Sequence, residues 1–212
     1  MLSFFFPKDL VESENIHIFA GKSFRTMKIC VFCSANQQID YDFFDLTRKF
    51  GRWAAQRGHT IVYGGVNCGL MECLAKAVKE VGGHTIGIVP TMVEKTGRTS
   101  DYVDVEIPVD NLSDRKQLMM DQSDVFVALP GGLGTLDEIF TVAASATIGY
   151  HQKTVILYNM KGFWDSLVTM LDDLHAKGVT RKDWRTYIKV ASTFEDLQAA
   201  LAAEAGTGDR QL

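Results

Sequence analysis

The residues best placed to do chemistry lie in one run, Pro130-Gly131-Gly132-Leu133-Gly134-Thr135-Leu136-Asp137-Glu138. It follows an apolar stretch, residues 125–129, that reads as a fully buried strand, and it precedes a helical stretch over residues 139–147. A strand, a turn with three glycines and a helix start make an anion site. Glycine lets a ligand approach the backbone, and unpaired N–H groups of the first helical turn point at it. Glu138 stands one turn inside, so the pattern sets a carboxyl beside a phosphate cradle. A dinucleotide-binding fingerprint would need glycine where Asp137 stands. A second glycine run, residues 64–69, is followed by Leu70 where a P-loop needs lysine. Neither nicotinamide nor ATPase chemistry is expected.

Each candidate has a plainer reading beside the functional one. Thr135-x-x-Glu138 also fits a helix capping box, and carboxylates near a helix start are favoured electrostatically. Asp137 is about 100° round the helix from Glu138, so the two cannot face one ligand. Arg115 and Lys116 follow Ser113-Asp114 at the start of an expected helix, where cations oppose the macrodipole. A bound anion would favour them there, Arg through its planar fork. Alternatively they form a solvated face paired to Asp114 or Asp121. Met119 and Met120 are more often core fillers than substrate contacts. No Gly-x-Ser-x-Gly elbow and no marked cysteine–histidine partnership is present. An acid, a cation and a phosphate nest suit a phosphorylated sugar better than acyl transfer.

The elements that must position these groups alternate. Strands are expected at residues 28–33, 60–63, 84–89, 125–129, 155–158 and 188–191, with a more exposed one at 102–107. Helices are expected at 41–57, 70–81, 113–122, 139–147 and 163–176, with a final one begun by a capping box at Ser192-Thr193-Phe194-Glu195. Gly58 ends the first helix as a C′ glycine, and Ser113 is the expected cap of the helix at 113–122. Residues 91–100 read as a flexible loop. This alternation implies right-handed crossovers and an α/β, Rossmann-like, doubly wound domain over residues 27–205, its mostly parallel sheet covered on both faces. Ligands bind such sheets at the carboxyl ends of the strands. That rule gathers three small-residue loops on one edge, Ser34-Ala35-Asn36, Gly64-Gly65 and 131–135. Ser34, Gly64 and Gly65 thereby join the candidate binding set.

Bulk properties narrow the class. The chain has 212 residues, 46% hydrophobic and 23% charged, enough for one sizeable core. Its net charge of −4 argues against nucleic-acid binding. No apolar run approaches the roughly 20 residues of a membrane span. Cys30-Val-Phe-Cys33 has redox spacing, but on a strand residues three apart face opposite ways. The four cysteines read as small buried hydrophobes in a reducing cytoplasm. Histidines are scattered, and no metal site is expected. Residues 1–26 stand outside the alternation. They read either as an extra segment that covers Phe4-Phe5-Phe6 against the body, or as the product of a start upstream of Met27. Residues 206–212 are expected to be a disordered tail.

Taken together, the motifs resemble the LOG (Lonely Guy) family, cytokinin riboside 5′-monophosphate phosphoribohydrolases often labelled possible lysine decarboxylases. Residues 130–138 are similar to its PGGxGTxxE signature. Arg115-Lys116 with Met119 resembles its RKxxM motif. Tyr63-Gly64-Gly65 with Gly69-Leu70-Met71 resembles its glycine-rich loop, and residues 148–153 its LGxHxKP stretch. The likeness runs from about residue 27 to 201. It implies hydrolysis of the N-glycosidic bond of a purine nucleoside 5′-monophosphate to free base and ribose 5-phosphate, without a cofactor, by a homodimer. It also implies that Arg115 and Glu138 are the catalytic pair, and that Gly131, Gly132, Gly134 and Thr135 hold the phosphate. Lys116, Met119 and Glu94 are implied on the substrate side. The chain departs from the family at Val66, Glu72, Leu112-Ser113, Ser145-Ala146-Thr147 and Thr154, which puts the base in question and brings plain AMP forward as substrate. The competing readings are a non-catalytic nucleotide- or cofactor-binding module on the same scaffold, and a pyridoxal-phosphate lysine decarboxylase, for which no lysine stands in a suitable surround.

Overall fold

A computed structural model of the chain describes residues 16–19 and 22–207. Strands β1 (Ile16–Phe19) and β2 (Lys22–Arg25) pair antiparallel as a separate ribbon. Phe4-Phe5-Phe6 lies outside the described residues, as do residues 208–212 of the expected tail. Strands β3 (Lys28–Phe32), β4 (Thr60–Tyr63), β5 (His84–Pro90), β6 (Val105–Val109), β7 (Val125–Ala128), β8 (Val155–Tyr158) and β9 (Ile188–Ala191) form one parallel sheet. Its order is β6-β5-β4-β3-β7-β8-β9, so the chain reverses direction across the sheet between β3 and β7. That reversal is the crevice where doubly wound sheets receive ligands.

Helices cover both faces because successive strand residues point opposite ways. Ile29, Val31, Ile61, Tyr63, Val125 and Val127 face α1 (Tyr41–Gln56), α2 (Gly69–Lys79) and α7 (Phe194–Thr207). Cys30, Phe32, Val62, Phe126 and Ala128 face α4 (Leu112–Asp121), α5 (Leu133–Thr147) and α6 (Asp165–Ala176). Each large apolar side chain so buried contributes about 1.5–3 kcal/mol. Cys30 and Cys33 fall in opposite cores, both buried, as strand geometry requires. Among the described residues no helix is long and apolar enough to cross a membrane.

Four local expectations need correction. The segment expected as an irregular loop contains a short helix, α3 (Thr91–Lys95), and is anchored: Ser100 donates its N–H to Gly65 O at 2.8 Å and Asn67 to Arg98 O at 2.9 Å. The exposed strand lies later than expected, at β6, where Pro108 and half-exposed residues blur the alternation. Helix α4 is capped by Asn111, whose Oδ1 accepts from the N–H groups of Ser113 and Asp114, and not by Ser113. The capping box of α7 is Thr193 with Asp196, one residue on from the expected register.

Candidate active site

Helix α5 begins at Leu133, well before the expected residue 139, with Gly132 as N-cap. Glycine-rich sequence conceals helical signal, yet Leu133, Thr135 and the residues beyond wind as one helix from the end of β7. The consequence is chemical. Thr135 is the third helical residue and Glu138 the sixth, so they form no capping box, and no side chain caps the helix. The first-turn N–H groups have no partner within the helix. Glu138 instead points inward and is 5% exposed.

Arg115 meets it there. The guanidinium donates through Nη1 to Glu138 Oε1 at 3.2 Å and through Nε to Ile88 O, at the end of β5, at 3.1 Å. Glu138 is buried and Arg115 partly so, with side chains 6% and 12% exposed. Burial pushes the Glu138 carboxyl up to about 7, from 4.5, while Arg115 pulls it back in part. Near neutrality the acid therefore exists in both forms. Loss of Arg115 would push the Glu138 carboxyl further up, and loss of Glu138 would leave the guanidinium without its carboxylate. The thiols of Cys30 and Cys33 lie close enough to feel Glu138, and burial raises both well above the usual thiol range.

The glycines divide into two kinds. A β-carbon at Gly64 would fall 2.2 Å from Arg115 Nη2, and one at Gly131 would fall 2.1 Å from Thr135 Oγ1. Gly65 (φ +69°) backs onto Val89, and Gly69 (φ +60°) onto the backbone of residues 34–36. These glycines are needed for packing. Around Gly132 and Gly134, by contrast, an added β-carbon meets nothing within 4 Å. Among the described residues, no atom crowds the helix start at these two positions.

Ser34 joins the loops through its backbone. Its N–H donates to Pro130 O at 3.0 Å and its carbonyl accepts from Leu70 N–H at 2.9 Å. Its hydroxyl is engaged locally, accepting from Asn36 N–H. Met119 is 1% exposed within the core and presents no surface to a ligand. Glu94 stands exposed on α3, and among the described residues no bond ties it to Arg115 or Glu138. Lys116 is held by Asp137, the acid expected to turn away from the ligand: Nζ lies 2.8 Å from each carboxylate oxygen. Sequence reasoning missed the Ile88 carbonyl, which carries no side-chain signal, and Asn111, whose Asn-x-x-Asp spacing could have shown it. Among the described residues no cluster of metal-ligating side chains is present.

The family model described as "Possible lysine decarboxylase" matches residues 71–201. The chain is 35% identical to the probable cytokinin riboside 5′-monophosphate phosphoribohydrolase LOGL3 of Oryza sativa subsp. japonica, over 84% of each chain. It is 34% identical to the cytokinin riboside 5′-monophosphate phosphoribohydrolase LOG3 of Arabidopsis thaliana, over 86% of this chain and 85% of that one. Among solved structures, the molybdenum cofactor binding protein of Rippkaea orientalis superposes with a TM-score of 0.64 at 27% identity, covering 84% of this chain and 97% of that one. An inward acid and arginine beside an open helix start, set in a chain with these relatives, leave one assignment: the chain belongs to the LOG family, whose model bears the description of a possible lysine decarboxylase.

Proposed function

We propose that the chain hydrolyses the N-glycosidic bond of a purine nucleoside 5′-monophosphate, giving free base and ribose 5-phosphate. The observation that carries this reading is the buried Arg115–Glu138 pair at the foot of the open N-terminus of α5. The phosphate docks on the first-turn amides, over Gly132 and Gly134 and beside Thr135, where the helix dipole and the missing side chains favour it. The ribose then lies toward Glu138. As the C1′–N9 bond breaks, positive charge builds on the sugar, and the ionised carboxylate stabilises it. Water bonds to C1′, and its proton ends on the departing base. A carboxyl that titrates near 7 is able to take that proton in passing. Arg115 keeps the carboxylate ionised and oriented. The names borne by the relatives at 34–35% identity support the reaction class. They leave the base open, and AMP is the first substrate to test. Lys116 does not suit a pyridoxal group, because Asp137 holds the nitrogen that a Schiff base would need free.

The test is a panel of nucleoside 5′-monophosphates with chromatographic readout of free base. Wild type should release base from at least one member, and Glu138→Gln should release it about 10²-fold more slowly or less. Equal release by both would remove Glu138 from the mechanism, and release from none would remove the enzyme. A second reading, a binding module without catalysis, draws support from the 27% identity to a molybdenum cofactor binding protein. Under it, wild type and Glu138→Gln would bind ligand alike and neither would consume it.

A further inference from the structure

A second ion pair joins the same two helices beside the buried one. Lys116 follows Arg115 on α4, Asp137 precedes Glu138 on α5, and the two are bonded through both carboxylate oxygens. One residue is about 100° of helix rotation, so this pair lies on the flank of the inner one. It is also nearer to solvent: the Lys116 and Asp137 side chains are 21% and 53% exposed, against 12% and 6% for Arg115 and Glu138. Lys116 is the fifth residue of α4, past the first turn, and its charge is met by Asp137 across the helix pair.

We propose that Lys116 and Asp137 are a positioning pair, which holds α4 and α5 at the separation that seats Arg115 on Glu138 and balances the charge around that carboxyl. The inference rests on the catalytic reading of Glu138. The groups that face Glu138 are Arg115 and Lys116 from α4, Asp137 from its own helix, and the Cys30 and Cys33 thiols from the β3 side. The thiols stay neutral across the working range because burial raises them. Two charges beyond Arg115 therefore act on the acid, with opposite signs: Asp137 favours its protonated form and Lys116 its ionised form. Bonded to each other, they offset. Loss of one leaves the other uncompensated at the rim of a poorly solvated site, where charge acts strongly.

Carbon-13 NMR of protein labelled at the glutamate carboxyl reads this directly, with the Glu138 signal identified by its loss in Glu138→Gln. Asp137→Asn should lower the titration midpoint of Glu138 by roughly half a pH unit, and Lys116→Gln should raise it by a similar amount. The double variant should return it to the wild-type position. The pH midpoint for base release should move in the same order, with kcat changing more than KM. Midpoints that move together, or that do not move, would overturn the proposal. Should the neutral variants fail to fold, Lys116→Arg retains the charge and must leave the midpoint in place; a displaced midpoint in that protein would also overturn it. The titration is measured without substrate. An inactive protein with opposed shifts would refute only the hydrolase, and an active one with unmoved midpoints only the pair.

Discussion

Two glycine-rich turns lead from strand to helix on the same sheet edge, and they use their glycines differently. Between β4 and α2, Gly64 leaves room for the Arg115 guanidinium, Gly65 backs onto Val89, and Gly69 takes up a left-handed conformation against the backbone of residues 34–36. That turn is filled by the protein itself. Between β7 and α5, Gly131 serves Thr135, but Gly132 and Gly134 look onto open space. That turn is the one to which the proposed function assigns the phosphate. Both read alike in sequence, since glycine marks close approach without saying what approaches. The difference lies in what the neighbouring loops do: the loop after β3 lies over Gly69, while among the described residues none comes within 4 Å of a β-carbon at Gly132.

Substitutions can break or sharpen this contrast. The largest effect is expected at Gly69→Ala. Its φ of +60° and a β-carbon 2.5 Å from Ala35 C leave no room for adjustment, so urea unfolding should show a loss of about 2 kcal/mol or more. Gly64→Ala comes next and should act on chemistry. The added methyl displaces the arginine, so kcat for base release should fall about tenfold or more with KM little changed. Gly134→Ala belongs to the open turn and should behave in the opposite way. Helix propensity would raise stability by up to about 1 kcal/mol, while KM rises severalfold because the methyl stands in the path of the anion. Similar stability losses at Gly69 and Gly134 would erase the distinction.

The open turn also makes stability depend on pH. Glu138 is the buried acid of the open turn, and its carboxyl lies at about 7 instead of 4.5. The folded form binds that proton more tightly than the unfolded chain does. Its contribution to stability is therefore complete below about pH 4.5, declines as pH rises and is lost above about 7. Urea midpoints of wild type should drop across that window relative to Glu138→Gln, and parallel curves would show that the acid is not buried as described.

Much of this architecture can be read from the chain because its central strands are continuous apolar runs bounded by glycine or polar residues. β4 and β8 begin and end where the expected runs do. Legibility fails where the pattern is shared between two causes. β6 is an edge strand with Pro108 in it, so its exposure resembles a loop. The first six residues of α5 resemble a turn because glycines stand at its cap and in its first turn, and turns carry the same residue types. Arg115 and Glu138 stood out by type, but their bond depends on a crossover that brings α4 beside α5, and no local spacing encodes it. The Ile88 carbonyl that orients Arg115 was invisible for the same reason.

The Ser34 joint has a mutational corollary. It grips one turn with an amide and the other with a carbonyl, while the hydroxyl serves Asn36 within its own loop. A Ser34→Ala change would therefore give up the local bond and keep the mouth in register. Proline is the substitution the joint cannot accommodate, because it has no hydrogen to give to Pro130.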